Sequence, residues 1–132
     1  MTTLLDLGDE SFVSLTTYRR TGKPVPTPVW VVRDGDDLVV WTSRDSGKVK
    51  RLRRDQRVAL APCSRRGRVA PDAPRISATA RVQESEREVG DAERLLRRKY
   101  GVQFHLVTTI ERVVTLVRRR SSPRVALRIS AG

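Results

Sequence analysis

This 132-residue chain carries one cysteine and one histidine. Cys63 has no second thiol for an internal disulfide. With His105 it makes too small a set for a structural zinc site, so no metal is expected. Long apolar runs are missing as well. None approaches the roughly 18 to 20 residues that span a bilayer, and Met1–Gly8 lacks the basic start and apolar stretch of a secretory signal. These two absences predict a cytoplasmic protein with no membrane partner. Aromatic residues are scarce at 5%, too few for a platform on which successive single-stranded bases stack. Acid–base machinery is also lacking. Asp34, Asp36 and Asp37 fall in a turn, where Asp is favoured for its own backbone bonding, and His105 sits in an apolar "VQFHLV" without a serine or cysteine nucleophile pattern nearby. No catalytic residue stands out, so any reaction has to be carried by a cofactor.

What the chain has in excess is positive charge: 27 basic residues against 15 acidic, a net charge of +12. All the basic residues except Lys23, Lys48, Lys50 and Lys99 are arginine, the side chain suited to bidentate contact with phosphate or carboxylate. That balance raises the expectation of a polyanionic partner, and charge alone does not choose between a nucleic acid and the phosphate of a small molecule. The length fits one domain over residues 1–132.

Alternation marks the strands. Ser11–Tyr18 and Val25–Val32 read as the first two, the second with Pro26 and Pro28, which cannot donate to a ladder and so place its first half at an edge or bulge. "RDGDD" then favours a tight hairpin to "LVVWTS", pairing strands two and three. Arg57–Cys63, a nearly continuous apolar run that fits a strand covered on both sides, and the alternating Arg75–Gln83 read as strands four and five. Two helices interrupt them. The first spans Ser46–Arg54, with Val49 and Leu52 as a narrow apolar stripe. The second follows Ser85, where Ser85 and Glu88 fit a capping box, acids crowd the start, bases the last turn, and Gly101 closes the end. Arg112–Arg120 and Arg124–Ser130 alternate again around Ser121-Ser122-Pro123 as a closing hairpin. The order is β-β-β-α-β-β-α-β-β, mainly β with two helices, and seven short strands suggest a barrel.

The stretch "TSRDSGKVKRLRR", Thr42–Arg54, sits where the third strand gives way to a helix. A helix N-terminus exposes unpaired N–H groups and the positive end of a dipole, and a glycine there lets an anion approach the backbone. Ser46 adds a hydroxyl and Lys48 a charge at the same point, which makes a phosphate cradle without the spacing of a P-loop. A capped, solvated basic helix explains the same residues equally well.

The run from Thr17 to Arg68, "TYRRTGKPVPTPVWVVRDGDDLVVWTSRDSGKVKRLRRDQRVALAPCSRRGR", with the "RKYG" that ends the second helix, resembles the flavin/deazaflavin oxidoreductase B group. These are coenzyme F420-dependent enzymes related to pyridoxamine 5'-phosphate oxidase. The resemblance implies a split β-barrel homodimer with the cofactor in a groove at the subunit interface. It implies that Thr27, Pro28, Val29 and Trp30 line the tricyclic ring. Thr42, Ser43, Ser46, Gly47, Lys48, Lys50 and Arg51 would hold the phosphate. Flavin-using relatives carry Ser-Arg-Lys where this chain has Ser46-Gly47-Lys48, a departure that argues against tight FMN binding and for F420. The surplus arginines would meet the polyglutamate tail of that cofactor. The implied reaction is hydride transfer to an unsaturated or conjugated small-molecule substrate. Trp30 and Trp41 are candidates to flank the groove, although core packing is the commoner use of such residues. An FMN-dependent enzyme or cofactor carrier of the same fold is the alternative, and a basic nucleic-acid-binding module a third reading, favoured by charge and disfavoured by the shortage of aromatics.

Overall fold

Apolar residues at every second position build seven strands, which a computed structural model arranges in one antiparallel sheet; the structure describes residues 2–101 and 123–131. After a 3-10 turn at Leu5–Asp9 come β1 (Val13–Tyr18), β2 (Pro24–Val29), β3 (Val32–Asp34), β4 (Asp37–Ser43), α1 (Gly47–Arg54), β5 (Arg57–Pro62), β6 (Ile76–Gln83), α2 (Glu86–Tyr100) and β7 (Arg124–Ala131). Their order across the sheet is β2-β1-β5-β6-β7-β4-β3.

The two edge strands, β2 and β3, are consecutive in the chain. Only Trp30 and Val31 separate them. Three Cα–Cα steps cover at most about 11 Å, so the sheet must curl until its opposite edges nearly meet. The result is the curled half-barrel of a split-barrel fold. Its interior holds Val13, Leu15, Leu38, Val40, Leu60, Leu127 and Ile129 among others, nearly all without solvent contact.

This arrangement corrects one sequence expectation. Val25–Val32 is not one strand paired with the next. Pro24–Val29 pairs with β1, from Val13↔Val29 to Tyr18↔Pro24, whereas only Val32–Asp34 forms the hairpin with β4, closing at Asp34↔Asp37. The prolines do lie at an edge, as their missing N–H groups require. Of the expected closing hairpin only the second half, β7, is among the described residues. Arg112–Arg120 lies outside the described residues, and over Ala126–Ile129 both sides of β7 are occupied, by β4 and by β6. A strand has only two hydrogen-bonding edges, so over those residues β7 is central in the sheet.

Both helices start as their sequences dictate. The Ser46 hydroxyl accepts from the Val49 N–H at 3.4 Å, and Ser85 accepts from the Glu88 N–H at 3.1 Å while donating to the Glu88 carboxylate at 2.8 Å. At the far end of α2 the chain turns through Gly101 at φ 55°, a left-handed value that favours a residue without Cβ. α1 closes one end of the barrel through Val49 and Leu52, both buried in its core. Each such side chain contributes about 1.5 to 3 kcal/mol. α2 packs outside the barrel. Its Ala92, Leu96 and Tyr100 form a second core with Val32, Val39 and Ala126, flanked by Trp30, Trp41 and Leu95. Among the described residues no helix is long and apolar enough to cross a membrane.

Candidate cofactor site

The end of β4 and the start of α1 form a rim of the barrel. Alternation puts Thr42 on the inner face with Leu38 and Val40 and Ser43 on the outer face with Trp41. Thr42 is buried and opposite Val125; Ser43 is opposite Arg124. Two residues later the chain turns, with the Ser46 N–H donating to the Ser43 carbonyl at 3.1 Å, and α1 begins.

The two helices carry bases in their last turns alike but differ at their N-termini. α2 carries Glu86 and Glu88 in its first turn and Arg97, Arg98 and Lys99 in its last, the favourable placement. α1 has no acidic residue in its first turn. Its N-terminus instead meets cations. Lys48 is half-buried, and burial first, then the neighbouring Arg51 and Arg124, holds its ammonium below the ordinary lysine value. Among the described residues no carboxylate pairs with it. Arg51 donates from Nε to the Thr17 hydroxyl at 2.6 Å, and its guanidinium lies back over Gly47, where an added Cβ would stand 2.7 Å from Nη1. Arg19 lies close enough to Arg51 to depress its pKa further, after burial. Arg124 approaches Lys48 from β7 and rests on the Trp41 ring, 4.6 Å from its centroid. Burial lowers its pKa as well.

Converging cations at the positive end of a helix raise one another's energy, and an anion lowers it. The rim is therefore a candidate anion site, with Ser46, Gly47, Lys48 and Arg51 at its centre and Ser43 across from Arg124. Lys50 is exposed and about 200° round the helix from Lys48. Sequence reasoning missed Arg124 and Thr17. Arg124 is one arginine among many in a strand-like segment, and Thr17 looks like any β1 residue; neither carries a local signal.

The segment expected to line a ring lies on β2, beyond β1. Thr27 is half-buried opposite Leu15, Pro28 exposed opposite Ser14, and Val29 in the barrel core. The link to the anion site runs through Thr17. Its strand partner is Val25, two residues and about 7 Å before Thr27 on the same face. Trp30 leaves the sheet and stacks on Tyr100, with ring centroids 4.4 Å apart and planes 9° from parallel. Trp30 and Trp41 both flank the outer core beside α2. A separate cleft of about 160 Å³ between α2 and the sheet is lined by Asp34, Glu88, Asp91 and Arg128, among others. Arg128 is already paired with Asp34 at 2.6 Å and Asp37 at 3.0 Å. His105 lies outside the described residues.

Solved structures share this architecture. The conserved hypothetical protein Rv2991 from Mycobacterium tuberculosis matches with a TM-score of 0.67 at 18% identity, over 99% of this chain and 81% of that one. HutZ, the heme storage protein from Vibrio cholerae, matches at 0.66 and 13%, over 94% and 83%. An F420 reductase matches at 0.59 and 14%, over 100% and 95%. At these identities the likeness is one of fold. No curated protein matches the chain. The family model for pyridoxamine 5'-phosphate oxidase, however, matches residues 5–132. On that match over nearly its whole length, the chain belongs to the pyridoxamine 5'-phosphate oxidase family.

Proposed function

We propose that this protein is an F420-dependent oxidoreductase that reduces an unsaturated or conjugated small molecule. The observation that carries the reading is Lys48, a half-buried cation crowded by two arginines at a helix N-terminus, with no carboxylate paired to it among the described residues. A phosphate fits that donor set. Its oxygens would accept from the Lys48 ammonium, the Ser46 hydroxyl, the Arg51 guanidinium and the first N–H groups of α1, with Arg124 closing the outer side. When bound, a deazaflavin supplies a hydride at its C5 carbon. The chain's own task is then to orient and enclose, with Thr27–Trp30 as the ring's platform, which agrees with the lack of a carboxylate pair for acid–base work. A second copy of the chain would complete the groove.

F420 is preferred because its carboxylate tail suits a surface where Arg19 lies beside Arg51 and Arg54 donates to the Tyr18 carbonyl at 2.8 Å. One observation favours FMN as a second reading. The flavin-using relatives carry an arginine at the position of Gly47, and here the Arg51 guanidinium lies over that glycine. Parallel titrations of the purified protein with F420 and FMN, followed by fluorescence, separate the two. At least tenfold tighter binding of F420 is expected, and equal or reversed affinities would remove the deazaflavin assignment.

A further inference from the structure

Val31 lies at the meeting of the two sheet edges, between β2 and β3, and is fully buried. Val31 lies outside the strand ladders, which end at Val29 and resume at Val32, and water cannot reach its backbone. Two consecutive side chains from the end of α2 take their place. The Tyr100 hydroxyl accepts from the Val31 N–H at 3.0 Å. Its single proton faces two carbonyls, Ser11 at 2.9 Å and Val31 at 3.0 Å. The Lys99 ammonium uses its three protons on three carbonyls, Gly8 at 2.7 Å, Glu10 at 2.7 Å and Val31 at 2.6 Å. The face of the Tyr100 ring meanwhile stacks on Trp30.

Covering one crossing this way is costly. Burial holds Lys99 below the ordinary lysine value despite the nearby Asp9 and Glu10, because a desolvated ammonium gives up its water for only three carbonyls. The two side chains hold the peptide groups of Val31, and Tyr100 also holds the ring of Trp30, where the chain leaves β2. We propose that Lys99 and Tyr100 are positioning residues for the Thr27–Trp30 platform, setting how that segment faces a cofactor ring; the inference rests on the reading of the platform given above. It separates two duties along the site. α1 with Arg124 holds the anionic end, whereas the end of α2 sets the surface for the ring.

Two substitutions test it, Tyr100→Phe, which removes the hydroxyl and keeps the stacked ring, and Lys99→Met. The first readout uses the protein without cofactor. Amide hydrogen exchange at Val31 is expected to accelerate at least tenfold in Tyr100→Phe, while exchange at Ala80, in the middle of β6, stays within twofold. Equal acceleration at both amides means a general loss of stability and overturns the proposal, as does no change at Val31. The second readout compares ligands. Affinity for F420 or FMN, whichever the unmodified protein takes up, falls at least tenfold, whereas the shift of the Lys48 amide on titration with inorganic phosphate keeps its midpoint within twofold. A parallel loss of both affinities, or of neither, overturns the positioning role. If the unmodified protein binds phosphate but neither cofactor, the proposed function fails, and the exchange comparison alone then decides whether Lys99 and Tyr100 set this segment. If Lys99→Met does not fold, Tyr100→Phe carries the decision.

Discussion

The guanidinium of Arg51 occupies the space that a side chain on Gly47 would need, with Nη1 only 2.7 Å from where a Cβ would stand. The glycine and the arginine four residues on are therefore one feature. The first lacks a side chain so that the second can lie across the opening turn of α1.

Gly47→Ala follows directly. The clash falls on the far end of a flexible side chain, and alanine is the better helix former, by up to about 1 kcal/mol in a helix interior. Stability should hold or rise slightly. Arg51 is displaced from its place over the turn, so cofactor affinity should drop severalfold. Thermal unfolding and a binding titration on the same sample check this; lost stability with unchanged affinity would refute it.

The two capping serines separate structure from function. Each accepts from a backbone N–H, so Ser46→Ala and Ser85→Ala should each cost about 1 kcal/mol of stability. The Ser85 proton is already given to Glu88. On the proposed reading the Ser46 proton is given to a phosphate oxygen. Only Ser46→Ala should weaken cofactor binding, as calorimetry on both variants would reveal.

Lys48 makes the site sensitive to pH. Burial, with Arg51 and Arg124 beside it, holds its pKa below 10.5 in the folded protein. The unfolded chain therefore holds that proton more tightly. This lysine's contribution makes stability rise as the pH climbs through the folded-state value towards 10.5. A phosphate on the ammonium favours the charged form. Cofactor affinity should thus be fullest at neutral pH and decline as pH rises through the same interval, most plainly short of 10.5. Titrations of the parent protein should show that decline, and Lys48→Met should flatten it.

The sequence made the local features readable. Alternation marked β1 and β6, and a nearly continuous apolar run marked β5, each to within one or two residues. The Ser46 and Ser85 caps marked the helix starts, and the proline pair marked an edge. The division of 24–34 into two strands was not readable, because Val29-Trp30-Val31-Val32 is continuous, strand-prone and free of turn residues. The break there coincides with Lys99 and Tyr100, 68 and 69 residues further along, a distance over which no local pattern extends. The anion site divides the same way. Ser46-Gly47-Lys48 announces itself by its position at a helix start. Arg124 joins it only because β7 pairs with β4, and Thr17 only because α1 closes the barrel end beside β1.

The most direct measurement of the central claim is cofactor affinity in Lys48→Ala beside Lys23→Ala, an exposed lysine in the turn after β1. If Lys48 holds the phosphate, its loss removes a charge-assisted contact of about 1.5 to 3 kcal/mol, or roughly ten- to over a hundredfold in affinity. Lys23→Ala should change affinity less than twofold, and both variants should melt close to the parent protein. Equal small losses from the two substitutions would mean that the basic surface attracts anions only through its overall field, and would contradict a built phosphate site at the start of α1.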